Sequence, residues 1–328
     1  MSAVSQKLKL LYLARIFEEE TDDEHGLTAP QLIALLAEHD VDVERKTLYR
    51  DIECLREFGY DIQKYQRSPV EYGLASRDFQ EPELLLLADA VQSSRFLTQR
   101  KATSLVKSVG KLGSKYLADD LVKRVHVEGR IKAQNESVFY NVDAIQRAIS
   151  AKRKVEFQYF KYDASKNAVL QHEGQTYCET PVQLMYMDDC YYLVVWNDKH
   201  EDFANYRVDR MKRIRVSDQE ASRNERIATF NVAMYQQRVF GMFNGEPVSV
   251  TLLVKAPAMN SVIDRFGKDV QSVSAGEGQA RVNVVVMQAP TFFGWLSQFG
   301  TDVIIEKPES LKSAYVDFLS SIVSAYEE

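Results

Sequence analysis

The stretch Asp189-Cys190-Tyr191-Tyr192-Leu193-Val194-Val195-Trp196, followed after a short gap by Asn205-Tyr206-Arg207-Val208-Asp209-Arg210-Met211, decides how this chain is read. The first segment is aromatic and aliphatic and reads as a buried β-strand. The second reads as a strand that ends in two arginines. A period of two puts Tyr206, Val208 and Arg210 on one face and Arg207 and Asp209 on the other. Arginine offers paired donors to phosphate, and tyrosine can stack on a base or donate a hydrogen bond. These residue types point to a binding surface. Alternation keeps Arg207 and Arg210 out of one pocket unless the strand bulges or ends between them.

Outward from this stretch, residues 142–151 read as a short helix, and Val155-Glu156-Phe157-Gln158-Tyr159-Phe160 alternates as a strand. Residues 177–187 and 190–197 add strands, with turns at Asp188-Asp189 and Asn197-Asp198-Lys199-His200. Residues 223–235 bridge to a third region from about Phe240. Its expected order is strand 248–254, helix 259–266, strand 280–287, helix 292–299, strand 303–305 and helix 311–326. That order suits a ferredoxin-like α+β domain, with Gly276-Glu277-Gly278 as a hairpin turn.

The first segment, to about residue 75, has the rhythm of a winged helix-turn-helix. A helix from about Ser5 carries Leu8, Leu11, Leu13 and Ile16 at helical spacing. It ends in a loop-like acidic run of Glu18, Glu19, Glu20, Asp22, Asp23 and Glu24. Thr28 is an N-cap candidate with Pro30 in the first turn, and that helix buries Leu32, Leu35 and Leu36. In the next helix Leu48, Ile52 and Leu55 form the core stripe. Arg45, Lys46, Thr47, Tyr49 and Arg50 lie near its N-terminus, the end that reads base edges in this motif and that phosphates favour. Gly59 stops the helix, and residues 60–65 and 70–74 form a wing turned by Gln66-Arg67-Ser68-Pro69.

Residues 76–137 are mostly helical by pattern, with Leu84 to Leu87, Ala90 and Val91 in one apolar helix. A helix over 102–116 carries Leu105, Val109 and Leu112 on one side and Lys107, Lys111 and Lys115 on another. That lysine row could follow a DNA backbone, although a solvated helix face is the commoner outcome. An apolar linker helix could instead build a dimer interface, which suits proteins that bind two half-sites.

At 328 residues the chain has room for two or three domains. No apolar run reaches the roughly 18 residues of a membrane span. Met1-Ser2-Ala3-Val4-Ser5-Gln6-Lys7 lacks the pattern of a secretory leader, so secretion is not expected. Three scattered cysteines (Cys54, Cys178, Cys190) suggest a reducing cytoplasm and read as small buried apolar groups. The net charge of −6 argues mildly against nonspecific nucleic-acid binding, although one local basic face can survive it. The five histidines (His25, His39, His126, His172, His200) never pair at metal spacing. There is no Gly-x-Ser-x-Gly elbow and no phosphate-cradling glycine loop. The expectation is no enzyme, with no catalytic residue, metal or cofactor.

Three segments resemble the WYL-domain family of bacterial regulators. In that family a Trp-Tyr-Leu strand precedes a strand ending in Arg-x-Asp-Arg. Here the triplet is Tyr191-Tyr192-Leu193, and the second element is intact from Arg207 to Arg210. Arg45-Lys46-Thr47-Leu48-Tyr49-Arg50-Asp51-Ile52-Glu53 resembles the recognition helix of DeoR-type winged helices that precede WYL domains. Phe293-Gly294-Trp295-Leu296, Phe299-Gly300 and Val303-Ile304-Ile305-Glu306-Lys307-Pro308 look like the C-terminal extension that accompanies them.

The resemblance implies a multidomain α+β chain. Its expected parts are a winged helix-turn-helix over 1–75, a helical linker for dimerisation over 76–137, and a small Sm/SH3-like β-barrel (WYL) over 138–216. A linker over 217–239 and a C-terminal ferredoxin-like α+β domain over 240–328 follow. It also implies a cytoplasmic homodimer, without membrane association, that binds double-stranded operator DNA. The barrel would sense a nucleotide or single-stranded nucleic-acid ligand through Tyr159, Tyr192, Tyr206, Arg207 and Arg210. The chain departs from the family at Tyr191 and at Ala204, where relatives carry an arginine. Arg210 and Tyr206 lead the candidates, and Tyr191 is expected to pack in the core. The alternatives are a nucleic-acid-binding assembly module without promoter control and a nucleic-acid-processing enzyme.

Overall fold

Helix α1 (Ala3–Glu20) opens the chain by burying Leu13, Ala14, Ile16 and Phe17, spaced to share one helical stripe. Leu11 falls off that stripe and is 67% exposed, contrary to expectation. The end of α1 is tied down by polar groups. The Thr21 hydroxyl donates to Phe17 O (2.7 Å) and accepts from Leu74 N (3.0 Å). Arg77 donates to Glu18 O (2.8 Å) and Thr21 O (2.6 Å), satisfying carbonyls that a helix end leaves open. Glu18 to Glu20 therefore belong to the helix, and only Asp22, Asp23 and Glu24 lie in a loop. The computed structural model describes residues 3–124, 137–243 and 245–327. It divides into two units, Met1–Glu136 and Ser137–Glu328. Residues 125–136, with His126 and the end of the expected linker, lie outside the described residues.

In the first unit, β1 (Leu27–Thr28) leads into α2 (Ala29–Ala37). Thr28 and Gln31 form a reciprocal capping box, with Thr28 N donating to Gln31 Oε1 at 2.8 Å. Helix α3 (Arg45–Phe58) follows and stops at Gly59, whose φ of 120° is one that only glycine adopts without strain. Strands β2 (Ile62–Tyr65) and β3 (Glu71–Leu74) pair from Ile62↔Leu74 to Tyr65↔Glu71, and β1 adds to β3. Gly73 is required here: a Cβ would stand 2.7 Å from the Tyr65 ring and 2.8 Å from Asp22 O. Leu32, Leu36, Leu48, Ile52 and Ile62 close one core with α1. Burying each such aliphatic side chain is worth roughly 1.5–3 kcal/mol.

Helices α4 (Glu81–Ser93), α5 (Gln99–Gly110) and α6 (Lys115–Arg124) complete this unit. They pack through Leu84, Ala88, Val106 and Leu121. The helix expected over 102–116 is thus two helices, which breaks the lysine row. Lys107 lies in α5, Lys111 caps its end, and Lys115 starts α6 and pairs with Glu20. The turn passes through Gly113, where a Cβ would meet the Leu117 side chain at 2.7 Å.

The second unit begins with α7 (Ser137–Ser150) and β4 (Arg153–Tyr162). Strands β5 (Ala168–Leu170), β6 (Tyr177–Met187), β7 (Cys190–Asn197), β8 (Asp202–Arg207) and β9 (Met211–Glu220) follow. The sheet runs β5-β4-β6-β7-β8, with β9 also paired to β4, so the strands curl around Phe157, Leu193 and Val155. The expected strand 205–211 is two strands: a single 3₁₀ turn, Val208–Arg210, separates β8 from β9. Helices α8 (Glu225–Ala228) and α9 (Val232–Arg238) lead on. Tyr235, Val239 and Met242 pack on Met185, Tyr192 and Val194, joining this connection to the outer face of β7.

The rest is β10 (Pro247–Lys255), α10 (Met259–Phe266), β11 (Ser272–Gly276), β12 (Gln279–Met287), α11 (Pro290–Ser297), β13 (Val303–Lys307) and α12 (Glu309–Glu327). The antiparallel sheet runs β11-β12-β10-β13. Val250, Leu252 and Val254 alternate inward with Val282, Val284 and Val286, against Phe266, Phe292, Leu296 and Leu311. Strand β11 was not expected, and it turns into β12 through Gly276 and Gly278, both at positive φ. The whole is a mixed α+β structure.

Candidate nucleic-acid and ligand surfaces

Helix α3 presents two different sides. Leu48, Ile52 and Leu55 are buried, and so is Asp51, whose Oδ2 sits 2.7 Å from Lys9 Nζ. The other side begins basic. Arg45, Lys46 and Arg50 are exposed, while Thr47 and Tyr49 are half-buried. Arg45 Nε donates to Tyr49 Oη at 2.7 Å, and the Tyr49 ring leans on Tyr72. Lys46 and Arg50 hold no hydrogen bond or ion pair among the described residues. Beyond Arg50 the same side turns acidic at Glu53 and Glu57, and Glu53 pairs with Arg56 at 2.6 Å. Only the N-terminal half of α3 offers uncompensated positive charge, and there the helix dipole also favours an anion. In the neighbouring hairpin, Arg67 is engaged by Glu24 O and Glu71 (2.7 and 2.9 Å).

In the second unit the end of β8 sorts the five expected ligand residues into two groups. Cross-strand partners share a face, and the register pairs Tyr192 with Arg207 and Leu193 with Tyr206. Tyr192 is 8% exposed and packs toward α9. Arg207 beside it forms a two-point ion pair with Asp209, Nε–Oδ1 3.1 Å and Nη2–Oδ2 2.8 Å. That hydrogen-bonded pairing raises the guanidinium pKa further. Tyr206 lies on the other face among Phe157, Tyr159 and Tyr177, with ring centroids 5.0, 5.1 and 5.5 Å away. Tyr159 is 8% exposed, and its hydroxyl accepts Arg207 N–H at 3.1 Å. Burial first, then nearby Glu179 and the neighbouring tyrosines, push the Tyr206 hydroxyl pKa upward.

Arg210 is the last residue of the 3₁₀ turn, half-exposed and without an ion pair among the described residues, and its charge acts on Tyr159. The structure therefore brings Tyr159 and Tyr206 together, with Arg210 near enough for its charge to act on Tyr159, and places the Tyr192 and Arg207 side chains on the opposite face. Strand β8 ends at Arg207, so strand alternation does not set the direction of Arg210. Tyr191 is half-exposed against Tyr186 (5.0 Å), contrary to expectation, and the buried residues of the triplet are Tyr192 and Leu193. Cys54 is exposed, contrary to expectation.

Sequence reasoning missed Glu179. This carboxyl is 7% exposed, faces Val155 across β4 and accepts from Asn197 Nδ2 at 2.8 Å. Burial pushes its pKa up to about 7, against the pull of the Asn197 hydrogen bond and Lys154. Lys154 itself pairs with Asp198 at 2.8 Å. The signal was present in Tyr177 and Glu179 two apart on β6, which puts the acid and the stacking ring on one face. Among the described residues no helix is long and apolar enough to cross a membrane, and no cluster of His, Cys, Asp and Glu could hold a metal ion.

Comparison with known proteins bears on this second unit. Among solved structures, the chain is similar to proteasome accessory factor B/C (PafBC) of Arthrobacter aurescens at 17% identity and a TM-score of 0.29. That likeness covers 95% of this chain and 45% of that one. It is also similar to a CRISPR Cas-related protein at 11% identity and a TM-score of 0.38, covering 75% of this chain and 72% of that one. The chain thus spans less than half the length of the PafBC chain. No curated protein matches it. Two segments match known domain families: residues 140–216 match the WYL domain and residues 246–322 match the WCX domain.

Proposed function

We propose that this protein is a ligand-responsive, DNA-binding regulator of transcription, acting in the cytoplasm as a homodimer. In this reading the first unit carries a winged helix-turn-helix, with α2 and α3 as its helix pair and β2–β3 as its wing. The WYL domain is an Sm-like barrel that senses a ligand, and the WCX domain is a ferredoxin-like extension. The observation that carries the proposal is the N-terminal half of α3. Exposed Arg45, Lys46 and Arg50, with half-buried Tyr49 among them, form a basic edge at a helix N-terminus, where phosphates and base edges are met in such motifs. Its occurrence upstream of a WYL and a WCX domain supports a regulator over an isolated nucleic-acid binder.

Tyr206, Tyr159 and Arg210 form the sensing surface in this reading, with Arg210 as the available cation. A nucleotide or single-stranded oligonucleotide placed there shifts the population of DNA-competent dimers by its differential affinity for the two states. A single-stranded oligonucleotide titrated into a complex of the intact chain with labelled duplex tests this. The duplex affinity is expected to change for the native chain and to stay constant for Arg210→Ala. An undiminished response in Arg210→Ala counts against this surface.

A further inference from the structure

A cavity of about 530 Å³ in the same unit is lined by none of Tyr159, Tyr206 and Arg210. Its walls come from three pieces of chain: β8, the α8–α9 connection, and the rim of the second sheet at β10 and β12. We propose that it is a ligand site for a small, flat aromatic anion, a ring carrying one carboxylate, sulfonate or phosphate group. The volume falls in the range of about 300–1,000 Å³ usual for small-molecule sites.

One wall is aromatic. Phe203, Phe230 and Tyr235 stand with centroids 5.0 Å apart for the first two and 5.0 Å for the last two. A flat ring finds both area and edge-to-face partners there. The charges are unequal in availability. Arg226 is held by Asp202 (2.5 Å) and by Glu201 O (2.7 Å), and its guanidinium lies over Trp196 and Phe203. Asp202 and Arg226 therefore answer one another. Arg238, at the end of α9, lines the cavity half-exposed and has no hydrogen bond or ion pair among the described residues. Glu246 lines the cavity from the sheet side. A single anionic group at Arg238 is thus favoured, while an anionic group beside Glu246 is repelled. Because the walls belong to three segments, an occupant ties the barrel to the second sheet.

Fluorescence titration of the full chain with anilinonaphthalene sulfonate, a flat aromatic anion, tests the site. Saturable binding is expected. Arg238→Gln weakens it by about tenfold, the usual loss for one hydrogen bond to a charged group. Arg238→Lys keeps most of the affinity, Glu246→Gln raises it, and Phe230→Ala lowers it. Near-UV circular dichroism identifies any variant that has lost its packing. The proposal is overturned by an absence of saturable binding or by equal affinity in Arg238→Gln. A weaker complex in Glu246→Gln, or loss of binding in Arg210→Gln, overturns it as well.

Discussion

The N-terminal half of α3 and the end of β8 both gather basic side chains, and they leave them in opposite conditions. On α3 the nearby acid, Asp51, faces inward and is matched by Lys9 from another helix, so Lys46 and Arg50 stay unpaired outside. At β8 the nearby acid, Asp209, lies on the same side as Arg207 and captures it, while Arg210 has no ion pair among the described residues. Glu179, buried in the six-stranded sheet, has among the described residues only the neutral Asn197 amide as a side-chain hydrogen-bond partner, because Lys154 pairs with Asp198. Charge available for a ligand is what remains after a region's own acids are answered. Counting arginines in a motif does not measure it.

The largest expected effect comes from breaking the α3 arrangement at its inner face. Lys9→Ala leaves Asp51 buried without a cation, and such losses cost about 3–5 kcal/mol. Chemical denaturation of the full chain, followed on a first-unit probe, should show that loss. A change under about 1 kcal/mol would mean that Asp51 is not held as described.

Glu179 supplies the next largest effect, with the opposite sign. Its folded pKa of about 7 lies above the ordinary 4.5, so between these values the folded state binds a proton that the unfolded chain has released. Stability contributed by this group therefore falls as pH rises through that window, and the full penalty stands above pH 7. Glu179→Gln should stabilise the protein at pH 8 by roughly 1–2 kcal/mol and flatten the pH dependence. Equal slopes for the native chain and Glu179→Gln would show that the acid is solvated or paired.

The smallest effect sharpens the comparison most. Asp209→Asn removes a half-exposed ion pair worth less than about 1 kcal/mol, so the melting temperature should barely move. It also removes a negative charge beside Arg210, and affinity for a short single-stranded oligonucleotide should rise a few-fold. If affinity falls instead, Asp209 is helping to hold the turn that presents Arg210.

Most helices and strands were legible because their residues alternate or recur as the elements demand. Strands β6 and β7 have their expected ends, since Asp188 and Asp189 adopt positive φ in the tight turn between them. Helix α10 likewise has its expected bounds. Strands β9 and β11 were missed for a physical reason. In β9 only Met211 and Ser217 are buried, and β11 has no buried residue, so their hydrogen bonding leaves no apolar signature. The two faces at β8 were legible in part. Alternation separated Tyr206 from Arg207, but the 3₁₀ turn that repositions Arg210 has no pattern of its own. Glu179 escaped notice because an isolated acid in a strand usually marks solvent, and its burial depends on the curl of the sheet.

The most direct test of the central claim, that α3 reads duplex DNA, is selection of bound duplexes from a random library. It uses the full chain at near-physiological salt, where nonspecific phosphate binding is reduced. The account predicts an inverted-repeat consensus, lost in Arg50→Ala while the melting temperature of that variant is unchanged. No enriched sequence, or the same consensus with Arg50→Ala, would contradict it.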